Sequence, residues 1–194
     1  MPRNLIFSLT SSALVALLCA APIPAALAAE YEIDPAHSFV QFKTQHLGYS
    51  WLVGRFNDVK GSFSYDAGNP AASAIEVTID TASVDSNHAK RDKHLRSEEF
   101  LDADEFPEAT FKSTAFEGDA DGGKLTGELT LHGVTLPITL EVSKIGEGDD
   151  PWGGYRAGFE GTARLTRADY AMDYDLGPGA AAVDLELYVE GIRK

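Results

Sequence analysis

Apolar and polar positions alternate with a period of two along most of the chain, the pattern of strands with one wet face. Near the C-terminus Val183, Leu185, Leu187 and Val189 share one face, and Asp184, Glu186, Tyr188 and Glu190 the other. Ile75, Val77 and Ile79 alternate with Glu76, Thr78 and Asp80. Ile138, Leu140 and Val142 alternate with Thr139, Glu141 and Ser143, and Leu125, Leu129 and Leu131 with Thr126, Glu128 and Thr130. Val40 and Phe42 oppose Gln41 and Lys43; Phe63 and Tyr65 oppose Ser62 and Ser64. Less regular strands are predicted around 52–56, 110–116 and 157–165. A sheet of about eight or nine strands must pair into a sandwich or close into a barrel. His132-Gly133 and the stretch 66–70 read as hairpin turns, and sequential hairpins favour an up-and-down barrel. The segment 88–101 breaks the alternation. It is charged and helical in pattern, and a Phe106-Pro107 break follows it.

The inward rows are the candidate core: Val40, Phe42, Leu52, Phe56, Phe63, Ile75, Val77, Ile79, Leu129, Leu131, Ile138, Leu140, Phe159, Val183, Leu185 and Leu187. Gly54, Gly61, Gly127 and Gly161 lie in phase with them. A glycine on the inner face leaves space where a side chain would stand, and it also lets a strand coil at a barrel corner. A barrel of about eight strands can be filled by its own side chains or can hold one small ligand. The pattern leaves both readings open.

The segment 5–28 is almost wholly apolar or small, with Arg3 before it and Ala26-Leu27-Ala28 closing it. It reads as a signal peptide (1–28) cleaved near Ala28, leaving one domain over 29–194. Pro22 and Pro24 cut the apolar run below the length of a stable membrane anchor. Cys19 falls in the leader, so the exported chain has no cysteine for a disulfide, nucleophile or metal site. Without Arg3 the formal charge goes from −14 to −15. So acidic a chain is repelled by nucleic acid.

Arg91, Asp92, His94 and Leu95 fall in the helical block. They are candidates for a headgroup site or lid, or for a solvated helix pinned to the barrel rim by ion pairs. Leu95 and Phe100 are expected to plug the helix onto the barrel end. The five histidines lack the spacing of a metal site, and no metal is expected. No nucleophile elbow, phosphate loop or dinucleotide glycine pattern is present, so no catalytic residues or catalytic cofactor are assigned.

Several ordered strings resemble the YceI-like family. They are Y-E-I-D-P-A-H-S-F-V-Q-F from Tyr31, H-L-G-Y-S-W from His46, G-R-F from Gly54 and R-D-K-H-L-R-S from Arg91. F-P-E-A-T-F-K-S-T from Phe106, G-E-L-T-L-H-G-V-T from Gly127 and D-P-W-G-G-Y-R-A-G-F from Asp150 complete the series. One departure is R-A-D-Y-A-M from Arg167, where the family pattern has a phenylalanine-glycine pair near Tyr170-Ala171. The resemblance implies an all-β, lipocalin-like antiparallel barrel of about eight strands with a long apolar channel. It also implies a periplasmic protein that carries or stores an isoprenoid lipid of the quinone or polyprenyl type. The lining would then be the inward rows with Gly54 and Gly127, and Leu131→Trp is expected to block uptake. A ligand-free interaction or stress-related module is the alternative; a homodimer is left open.

Overall fold

The computed structural model describes residues 28–194. The leader-like segment and Cys19 lie outside the described residues. The strands are β1 (Ala29–Ile33), β2 (Phe39–His46), β3 (Ser50–Phe56), β4 (Val59–Tyr65), β5 (Ala74–Asp80) and β6 (Val84–Asp85). After the helix α1 (Ala89–Leu95) come β7 (Glu108–Gly118), β8 (Gly122–Leu131), β9 (Val134–Asp149), β10 (Tyr155–Thr166) and β11 (Ala182–Arg193). All pair antiparallel in one sheet, which closes through the pairing of β1 with β11.

Three pairs of strands are halves of bent staves. β1 and β2 both lie along β11, one on Gly191–Arg193 and the other on Asp184–Tyr188. The chain bends between them at Asp34-Pro35, where proline cannot donate to the ladder. β3 runs on into β4 and β5 into β6, so the barrel has eight staves. Its ends differ. The turns after β4, β7 and β9 crowd one end, called here the turn end. The β2–β3 hairpin, α1, the His132-Gly133 turn and the loop before β11 crowd the other, the helix end.

The alternation predicted the staves well, with three differences. β1 was not among the predicted strands, although Tyr31 and Ile33 are buried between exposed glutamates. The helix is shorter than 88–101. On a continued helix Leu95 and Phe100 would point about 140° apart. Instead the chain coils back through Phe100 N–H to Ser97 O and Asp102 N–H to Ser97 O, which buries Phe100 and Leu101 as well. Leu52 is not in the core. The β2–β3 hairpin projects from the helix end, and β6 meets β3 only at Arg55–Phe56, so Leu52 stays half-buried beyond the packed interior.

Candidate functional site

The interior is filled at the helix end and hollow toward the turn end. Val84, Leu101, Ala109, Leu131, Leu165, Tyr170 and Met172 are all under 10% exposed and pack as one mass. Ile75, Leu125, Ile138, Val142, Phe159, Leu185, Leu187 and Val189 also point inward, yet each is only half-buried. They face a void of about 150 Å³.

The walls of this cavity are almost wholly aliphatic and aromatic. Such a void offers water no partners and suits an apolar guest. Phe63 stacks on Tyr31 with ring centroids 4.7 Å apart and meets Phe159 edge-on at 5.6 Å. Tyr65 meets Phe159 edge-on at 5.1 Å. These contacts hold one wall rigid. The cavity extends to Ser73, Asp119 and Ala120 in the turns. There the Tyr65 hydroxyl donates to Ala120 O at 3.0 Å. Lys144 continues the inward row of β9 past Val142, 5.6 Å from the Tyr65 ring centroid and 3.2 Å from Glu147 Oε1. Burial works to lower the Lys144 pKa, but the Glu147 carboxylate and Tyr65 outweigh it and raise it, so the ammonium stays charged. The Ser73 Oγ is buried with no hydrogen-bond partner among the described residues. An unsatisfied buried hydroxyl costs about 1–3 kcal/mol.

A sequence profile of the YceI-like domain matches residues 31–191. The chain belongs to the YceI-like family. A UPF0312 protein of Pseudomonas aeruginosa is 56% identical over 171 residues, which is 87% of this chain and 90% of that protein. Protein YceI of Escherichia coli is 54% identical over 171 residues, with the same coverage of 87% and 90%. The crystal structure of the Campylobacter jejuni YCEI protein matches with a TM-score of 0.69 at 30% identity, over 77% of this chain and 90% of that one. A Saccharophagus degradans domain described as polyisoprenoid-binding shares the fold, with a TM-score of 0.63 at 18% identity over 86% and 99% of the two chains.

In this YceI-like barrel, Val40, Phe63, Ile75, Val77, Ile79, Leu129, Ile138, Leu140, Phe159, Leu185 and Leu187 line the cavity. Phe42, Leu52, Gly54, Phe56, Gly127, Leu131 and Val183 do not. The cavity is therefore a blind pocket rather than a channel running the length of the barrel. Phe42 and Phe56 pack on each other and on the filled end, with ring centroids 5.8 Å apart, and Val183 packs there too. Leu131 is part of the filled mass, so Leu131→Trp would disrupt packing rather than block a guest. The inward glycines also differ from the expected cavity markers. The Phe42 ring occupies the space over Gly54, and the Phe111 ring that over Gly127. Only at Gly161, among the four, does the space belong to the cavity: a Cβ there would meet Val142 Cγ2 at 3.6 Å, an ordinary contact.

Arg91, Asp92, His94 and Leu95 do not line the cavity. They sit at the helix end and close it. Asp92 accepts from Ser86 N–H at 2.7 Å and from the Ser86 hydroxyl, while Arg91 Nε donates to Ser86 Oγ at 2.7 Å. Burial works to raise the Asp92 pKa, but the Ser86 bonds, Arg96 and Arg91 outweigh it and lower it. His94 bonds Glu99 and packs edge-on against Phe100 and Tyr174, and Leu95 packs on the core.

The sequence reading assigned no role to Arg156, which clasps the barrel seam. It binds Asp34 Oδ2 at 2.7 Å, Asp150 Oδ2 at 3.0 Å and Glu190. Asp34 and Asp150 each begin an Asp-Pro pair in the family strings, so Arg156 joins the two strings in space. Asp34, His37 and Glu190 bring ligand atoms within 4.8 Å of one another. The guanidinium already supplies the positive charge those carboxylates need.

Proposed function

We propose that the protein carries or stores an isoprenoid lipid in the periplasm, with the tail held in the blind cavity and admitted from the turn end. The observation that carries this reading is a void within a closed barrel whose lining is almost free of polar groups. A tail with no hydrogen-bonding groups gains affinity only by leaving water, at about 0.8 kcal/mol per buried methylene-sized group. Two isoprene units then offset the several kcal/mol lost on immobilisation. The description of the Saccharophagus domain as polyisoprenoid-binding points the same way. The export part rests on the leader-like segment 1–28. No catalytic step belongs to this reading.

The test is solvent extraction of protein purified from native cells, followed by mass spectrometry. A stoichiometric prenyl lipid is expected; repeated preparations free of lipid would overturn the reading. A second reading, a docking module, draws on the projecting β2–β3 hairpin, which exposes Leu47, Tyr49, Trp51 and Val53. The joint change Tyr49→Ser and Trp51→Ser leaves lipid content unaltered under the first reading.

A further inference from the structure

The β2–β3 hairpin carries side chains that an exposed turn does not ordinarily carry. Tyr49 N–H donates to His46 O at 3.0 Å across a two-residue turn, with Leu47 at φ +52° and Gly48 at φ +78°. Such a turn favours Asn, Asp or Gly at its first position, and a leucine there is strained. Leu47 is nevertheless 58% exposed at the tip and Tyr49 87%, and Trp51 and Val53 beside them are exposed too. Four of the seven large apolar side chains exposed among the described residues fall within positions 47–53, so they form a patch rather than a scatter. The charge pattern changes at the same place. No Asp or Glu occurs between Asp34 and Asp58, in a chain with 30 of them, while Lys43, His46 and Arg55 fall inside that stretch. Carboxylates of neighbouring elements have cations of their own. Glu186 lies 3.8 Å from Lys43. The loop before β11 packs beside Gln45 at Gly179, and the charges of its Asp173 and Asp175 act on Arg167.

We propose that this hairpin docks the barrel reversibly on an anionic lipid bilayer, with Leu47, Tyr49, Trp51 and Val53 at the boundary between headgroups and acyl chains. None of the four lines the cavity, so docking and lipid carriage are separate properties. Tryptophan and tyrosine favour that boundary, because each ring has an apolar body and a polar edge. The Lys43 ammonium lies 5.0 Å from the Trp51 ring centroid, which sets a cation at the depth of the headgroups above a buried indole. The missing carboxylates matter as much, since elsewhere this acidic surface repels anionic lipid. A bilayer also fits the shape. A projecting two-residue tip offers little of the roughly 800 Å² per partner that a stable protein interface takes. A strand added along the free edge of β3 would leave Leu47 uncovered, whereas a fluid boundary receives the tip whole. A barrel docked this way keeps its turn end in water.

The chain has two tryptophans, and they make the test directional. Trp152 lies in the turn between β9 and β10 at the opposite end, close to Asp149 and Asp150. Trp152→Phe leaves Trp51 as the only indole, and Trp51→Phe leaves Trp152. Each variant is mixed with vesicles of phosphatidylcholine and phosphatidylglycerol, with and without brominated acyl chains. Trp51 emission is expected to shift to the blue and to be quenched by the brominated chains, and Trp152 emission to do neither. Joint Tyr49→Ser and Trp51→Ser is expected to weaken vesicle binding, read by flotation, at least about tenfold through loss of two interfacial anchors. Lys43→Gln is expected to weaken it about fivefold, the worth of one basic residue near an anionic surface, with no change on pure phosphatidylcholine. Quenching of Trp152 instead of Trp51, or of neither, overturns the docking and leaves the carrier reading standing. Unchanged flotation of the joint variant does the same. A dimer in sedimentation that the joint change dissolves, with no flotation of the parent, gives the patch to a second copy and overturns the bilayer as its occupant.

Discussion

The two ends of this barrel are made of the same alternating strands and behave as different materials. At the helix end, large side chains and a short helix fill the space, with Phe42 over Gly54. Toward the turn end several inward residues, Ile75, Leu125 and Val142 among them, stay half-buried around a void, and Gly161 adds to it. Alternation fixes which way a side chain points; what stands opposite it decides whether it packs or lines a pocket. Stability is therefore concentrated at one end and binding capacity at the other.

Truncating one leucine at each end probes that division with the largest effect. Leu165→Ala removes a packed side chain and is expected to cost about 2–5 kcal/mol in urea unfolding. Leu125→Ala, on the cavity wall, is expected to cost less than half as much, because its removal enlarges a void already present. Equal costs would show that the turn end is packed as tightly as the helix end.

The glycines sharpen the same contrast. Gly161→Leu places a side chain in the cavity at a position with room and no strained backbone. Lipid content is expected to fall at least about tenfold, equivalent to about 1.4 kcal/mol, with the fold intact by circular dichroism. Gly54→Leu drives a side chain into the Phe42 ring and is expected to cost about 1–3 kcal/mol of stability. Its lipid content per folded molecule should not change.

Much of this was legible in the residues. The rows from Ile75 to Ile79 and from Val183 to Val189 have a strict period of two, and the staves follow. The hollow was not legible, because Leu131 and Leu129 are the same residue type two positions apart and both are buried in the core, yet only Leu129 also lines the void. That depends on the taper of the closed barrel and on which aromatic ring lies across a glycine. Ser73 was hidden in a turn-like stretch, although it continues the phase of Ile75, and extending each row by one step would have found it. Arg156 was hidden because its partners Asp34 and Glu190 are far apart in the chain.

The seam clasp supplies a pH test at the turn end. Arg156 and His37 lower the Asp34 pKa from 3.8 to about 2 in the folded protein. A depressed carboxyl contributes stability that is fully present above its unfolded pKa and lost as the pH falls through the folded one. The contribution of Asp34 is therefore expected to disappear between about pH 4 and about pH 2. Thermal unfolding of Asp34→Asn should show a lower midpoint than the parent at pH 6 and a difference that closes across that window. A constant offset at all pH values would remove the clasp from the account.

The smallest effect lies at the helix end, at Ala171. Ala171 ends the short turn Arg167–Tyr170 in the left-handed region, at φ +56°. That conformation presses a Cβ on the following carbonyl, and glycine adopts it freely. Tyr170 beside it is 3% exposed, and its carbonyl bonds His132 Nδ1 at 3.0 Å, so the packed end holds the turn in place despite the strain. Ala171→Gly relieves the strain but adds freedom to the unfolded chain, and the two terms oppose each other. A net gain of up to about 1 kcal/mol in urea unfolding is expected, with no change in lipid content. A loss of stability would mean that the alanine methyl packs at the filled end, and that this end tolerates a strained backbone for the sake of contact.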